Sequence, residues 1–164
     1  MLSFKYLGSF TYYNLILLFL FSITVNSLES FSIINSISYV LLHLVIIYLS
    51  LYYYRKLLYI IYFFCGLGID LLLLNNQIGP HLFVFMTILI FFNQTKKYYL
   101  NLNSQKIYLI ILLAQSIIIF LEMMITHWFF DYNFELYTYI KLLFISLLIS
   151  YPIFFIFSKI DNLN

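Results

Sequence analysis

Between its charged residues the chain runs through apolar stretches long enough to cross a bilayer, and all but one of its basic residues recur after every second stretch. Lys5, Arg55, Lys56, Lys96, Lys97, Lys106 and Lys159 are seven of its eight Lys and Arg residues. A hydrocarbon core about 30 Å thick takes about 20 apolar residues per helix, and short loops rich in Lys and Arg stay on the cytoplasmic side. The pattern therefore predicts six spans, at about 12–25, 33–54, 57–74, 80–92, 107–129 and 137–157. The expectation is an all-α membrane protein, a six-transmembrane helix bundle forming one transmembrane domain over residues 1–164, with both termini cytoplasmic.

Composition excludes the main alternatives. Of 164 residues, 65% are hydrophobic and 9% charged, against about 25% charged in soluble domains. So few charges do not cover a water-facing surface, and six spans leave no room for a domain outside the lipid. The net charge of +2 is spread over several short loops, which is no footprint for nucleic acid. Cys65 is the only cysteine, so no internal disulfide forms.

Two spans carry an alternative. Lys5, an apolar run and then Val25-Asn26-Ser27 also fit a cleaved signal peptide. Span 4 is short and opens with Gly79-Pro80, which suits a thin, tilted or partly re-entrant segment. Tyr12, Tyr13, Tyr52, Tyr53, Tyr54, Tyr98, Tyr99, Tyr132 and Tyr137 sit at span ends with Trp128, where amphipathic rings anchor in the headgroup region.

Ionisable side chains inside a span are expensive and by default join helices or serve function. This chain places Asp70 in span 3, Glu122 and His127 in span 5, Lys141 in span 6, His43 in span 2 and His81 in span 4. Counted from the outer ends of their spans, Asp70, Glu122 and Lys141 share the outer half of the bilayer at a matching level. An ion-pair network in which Lys141 meets Asp70, Glu122 or both is the expected arrangement. It could hold helices together, receive a partner, or couple protons or substrate. Gln115, Glu122 and Thr126 form one polar stripe on span 5, and Ser36, His43 and Ser50 repeat every seven residues on span 2. Such stripes usually turn inward. His81, His127 and Glu122 have no spacing that requires a metal. There is no nucleophile–base arrangement, phosphate loop or cofactor signature.

The stretch Cys65-Gly66-Leu67-Gly68-Ile69-Asp70 leads through Asn75-Asn76-Gln77-Ile78 to Gly79-Pro80-His81-Leu82. Gly66 and Asp70 lie one turn apart, so a neighbouring helix can approach the face that carries the acid. Gly79 frees the backbone before Pro80 opens the next helix. This pattern resembles the MreD family of bacterial rod-shape-determining membrane proteins: a glycine-leucine pair (Gly66, Leu67), an aspartate on an apolar helix (Asp70) and a turn glycine (Gly79). The likeness covers the whole chain in architecture and about residues 66–82 in residues. Pro80 and the long aromatic-rich stretches depart from the family pattern.

The resemblance implies a multi-pass protein of the bacterial cytoplasmic (inner) membrane. It also implies a fold similar to the substrate-binding membrane subunits of energy-coupling-factor vitamin transporters. The implied function is a non-enzymatic scaffold working with an MreC-like protein, an MreB-type filament and peptidoglycan synthases. In that reading Gly66 and Gly68 give a close-packing face, and Asp70, Gly79 and Pro80 hold the outer hairpin. Glu122 and Lys141 add the partner-binding charges. A transport subunit with a small-molecule pocket near Asp70, Glu122 and Lys141 is the alternative, and an enzyme acting on a lipid-linked substrate is the third reading.

Overall fold

A bilayer offers backbone groups no water, so segments inside it must bond internally, and a helix does this within one segment. The computed structural model describes residues 12–21, 32–53, 56–73, 79–99, 102–130 and 135–163, and these contain six helices and no strand. They are α1 (Tyr12–Phe21), α2 (Ser32–Tyr52), α3 (Lys56–Leu73), α4 (Pro80–Tyr99), α5 (Ser104–Phe130) and α6 (Leu136–Leu163). Lys5, Glu29, Arg55, residues 75–78, Asp131 and the Val25-Asn26-Ser27 site lie outside the described residues. Ile33–Tyr52, Gln105–Phe129 and Leu136–Phe157 are long and apolar enough to cross a membrane, and Tyr12–Phe21 and Pro80–Thr95 are shorter apolar helices. The chain is thus a helical membrane protein.

Helix ends follow local chemistry. Pro80 stands first in α4, where a missing N–H costs nothing. The Asn103 carbonyl accepts from Ile107 N at 3.1 Å to open α5, and the Glu135 carbonyl accepts from Tyr139 N at 3.2 Å to open α6. The span expected at 80–92 is part of a 20-residue helix that continues through Asn93, Gln94 and Thr95 to Tyr99. Polar residues end an apolar run, but nothing among them breaks a helix, and Thr95 Oγ1 folds back onto the Phe91 carbonyl at 2.6 Å. Likewise α6 passes Lys159 and runs through Pro152.

The core sits on α2. Every residue from 42 to 51 is buried, and α2 packs against α4, α5 and α6. The apolar stretch of α2 is 61% buried, against 28% in α5 and 22% in α6, so α2 is central and the last two helices face outward. Interhelical hydrogen bonds, the usual polar links inside membranes, tie neighbours to this axis. Tyr62 Oη donates to the Ile46 carbonyl at 2.6 Å, joining α3 to α2. Gln115 Nε2 donates to the Val40 carbonyl at 3.1 Å, joining α5 to α2. From α1, Tyr13 stacks against Tyr48, Tyr53 and Phe157 and donates to the Phe157 carbonyl at 3.0 Å.

The α3–α4 pair is the tightest junction. A Cβ built on Gly66 would lie 2.5 Å from Leu82 Cα and 2.8 Å from Leu82 N, so the backbones touch there. Gly68 faces α1 instead, where a Cβ would meet the tip of the Phe21 ring at 2.8 Å. A ring tip can swing aside and a backbone cannot. Gly66→Ala should therefore destabilise the protein by roughly 1–3 kcal/mol, the range for overpacking, and lower its thermal midpoint in detergent by several degrees. Gly68→Ala should change it little, because alanine's helix preference over glycine offsets the ring movement. Equal tolerance at both positions would contradict the close contact.

Candidate functional site

The first four N–H groups of a helix have no partner within it. In α4 the partner comes from the preceding helix. Asp70, fully buried, sits one turn beyond Gly66, so the contact that brings α4 against α3 also sets its carboxylate at the first turn of α4. Oδ1 accepts from His81 N at 3.2 Å and from His81 Nδ1 at 2.8 Å, and Oδ2 accepts from Leu82 N at 3.0 Å. Two backbone N–H groups and the His81 ring thus meet the Asp70 carboxyl, placed where the positive end of a helix dipole favours negative charge.

The second carboxylate is held from α2. Glu122, on the inward stripe of α5, lies 2.9–3.0 Å from His43 Nε2 and accepts from Tyr39 Oη. His43 and Glu122 are both buried. His43 Nδ1 lies 2.7 Å from the carbonyl of Tyr39, one turn back on the same helix. A carbonyl only accepts, so Nδ1 carries a proton and fixes the ring, leaving Nε2 and the carboxyl to share another.

These two units form one cluster. The Tyr39 ring lies 4.3 Å from His43 and 6.2 Å from His81, and buried Phe85 sits edge-on to both imidazoles at 5.6 and 6.1 Å. Two acids, two histidines and a tyrosine thus join α2, α3, α4 and α5 at one level. The polar stripes expected on spans 2 and 5 meet where His43 touches Glu122. Among the described residues, no three His, Cys, Asp or Glu side chains gather as a metal site, and His127 stands exposed near the end of α5.

Lys141 is the correction. It was expected to pair with Asp70 or Glu122, but among the described residues the ion pairs are His43–Glu122 and His81–Asp70. Depth is the reason. Tyr139 bonds Ser116 at 3.1 Å and stacks on Phe120, while Tyr108 bonds Ser150 at 3.1 Å and stacks on Tyr151. That antiparallel register sets Lys141 level with about Ile117, roughly 7 Å below Glu122 at 1.5 Å per residue. Helix α6 begins level with Glu122, so counting residues from its end overstated how near the surface Lys141 lies.

Of the residues singled out in the sequence, Gly66, Asp70 and Pro80 converge on the start of α4 beside Gly79, Gly68 faces α1, Glu122 joins the cluster from α5, and Lys141 stands apart. The sequence reading singled out His43 and His81 inside the spans without pairing them with the acids, and it passed over Tyr39. Their signals were present. His81 follows an N-terminal proline where orphan N–H groups await an anion, and Tyr39 lies one turn before His43 on the same face. Outside the cluster, an apolar groove of about 230 Å³ runs between α4 and α5, lined by residues such as Phe83, Phe91, Ala114, Ile117 and Leu121.

No protein-family model, curated protein or solved structure matches this chain.

Removing one member of a buried pair strands its partner, at a cost of roughly 3–5 kcal/mol. Asp70→Ala should lower unfolding stability by about that amount, and Asp70→Asn by less, since an amide oxygen still accepts from the α4 backbone. For the other unit, a double-mutant cycle of His43→Ala and Glu122→Ala should give a coupling energy of roughly 1–3 kcal/mol. Strict additivity of those two substitutions would show that the side chains do not interact.

Proposed function

We propose that this chain is a non-enzymatic scaffold of the bacterial cell-elongation machinery, a multi-pass component of the cytoplasmic membrane. It works by helix–helix association with a partner such as an MreC-like protein, alongside an MreB-type filament and peptidoglycan synthases. In this reading all six helices cross the bilayer with both termini cytoplasmic, in a bundle similar to energy-coupling-factor substrate-binding subunits.

The observation that carries the reading is the meeting of Gly66, Asp70, His81 and Leu82. Gly66 and Asp70, two of the residues through which the chain resembles the MreD family, meet in one junction, in which the glycine admits α4 and the aspartate caps it. Two further features favour a scaffold. The buried acids are engaged by donors of their own chain, and the groove between α4 and α5 is apolar, a surface suited to another helix or to lipid. The transport reading calls for a cavity lined by Asp70, Glu122 and Lys141. Asp70 and Glu122 are instead enclosed within the bundle, and Lys141 lies apart from them.

Depletion of the protein in its native host should turn rods into spheres while nutrient uptake continues. Retained rod shape with lost uptake of one small molecule would overturn the proposal in favour of transport.

A further inference from the structure

The described part of the molecule leaves one intramembrane charge unanswered. Lys141 makes no hydrogen bond or ion pair among the described residues, whose ion pairs join His43 to Glu122 and His81 to Asp70. It is half-buried on α6, and the side chains sharing its face, Tyr137, Phe144 and Leu148, are exposed, as is neighbouring Ile140. The register with α5 sets it level with Ile117, the middle of the apolar stretch Gln105–Phe129. On its own helix it lies five residues, about 7.5 Å, inside the outer end of the apolar stretch Leu136–Phe157. A lysine side chain of five bonds reaches roughly 6 Å, so a snorkelling ammonium still stays below that end.

We infer that the α6 face around Lys141 docks a transmembrane helix of another protein carrying an aspartate or glutamate at the same depth. The inference rests on the scaffold reading and deepens it, by assigning the docking face and the charge the partner must bring. Charged side chains inside a membrane pair with one another or face a cavity, and this one faces outward among exposed apolar side chains. Among the described acidic side chains, a second copy of this chain offers none exposed at this level. Asp70 and Glu122 are buried and bonded within their own copy, and Glu135 accepts from Thr138 at the start of α6. An aspartate or glutamate on an otherwise apolar partner helix meets both requirements of the face, a charge at the level of Lys141 and apolar contact with Phe144 and Leu148 on the following turns.

The test places a photo-reactive benzoylphenylalanine at position 144 of the full chain in living cells, with product yields normalised to chain abundance. The expected product joins position 144 to a transmembrane segment containing an Asp or Glu. Its yield should fall at least tenfold in Lys141→Met and persist in Lys141→Arg. Lys141→Asp should restore it when combined with a lysine at the partner's acid. Products with phospholipid alone or with a second copy of this chain, or a yield indifferent to Lys141→Met, would overturn the inference. A charge-dependent partner with no role in wall synthesis would sustain the docking face and sink the elongation reading.

Discussion

Two carboxylates buried in the helix bundle must each find hydrogen-bond donors from inside the protein, and the arrangement of four helices follows from how they do so. Asp70 takes the backbone and side chain of His81 and the backbone of Leu82. Glu122 takes His43 and Tyr39. Each acid thereby bonds across a helix boundary, α3 to α4 in one case and α5 to α2 in the other. Stranding either acid would leave an unpaired charge in hydrocarbon, so a helix that slips its register loses far more than the apolar contacts around it.

Histidine suits this task better than lysine. An imidazole is short and stiff, and it can donate from one nitrogen to its own helix while the other reaches across, as His43 does between the Tyr39 carbonyl and Glu122. Asp70 gains a further advantage from position, since its level coincides with the open N–H groups of α4 and the close backbone contact at Gly66 brings them within reach. The same residues thus explain the local helix start, the packing of α3 on α4 and the burial of the charge. Apolar side chains of α4, α5 and α6 are exposed on the outside, with half-buried Lys141 among those of α6.

Much of this was legible from residue order. Apolar runs marked the helices, because a segment that meets no water has little choice but to bond within itself. Gly66 and Asp70 one turn apart pointed to a close approach beside an acid, and the seven-residue repeats of polar residues pointed inward. Three things were not legible. The end of α4 at Tyr99 was hidden because loss of hydrophobicity is not loss of helix. The pairing of the acids was misassigned because formal charge favours lysine on paper, whereas geometry favours whichever donor lies at the same height. The depth of Lys141 was misjudged because helices in a bundle do not begin at a common plane, and only the contacts of Tyr108 and Tyr139 reveal the offset.

Internal pairing of both acids with histidine is the claim on which the placement of Lys141 and the outward face of α6 depend. Magic-angle-spinning NMR of the full chain in bilayers, with nitrogen-labelled His and Lys and carboxyl-labelled Asp and Glu, reads it directly. The structure predicts contact-range couplings from His43 to Glu122 and from His81 to Asp70, and none from Lys141 to either carboxyl. A coupling between the Lys141 ammonium and Asp70 or Glu122 would contradict it.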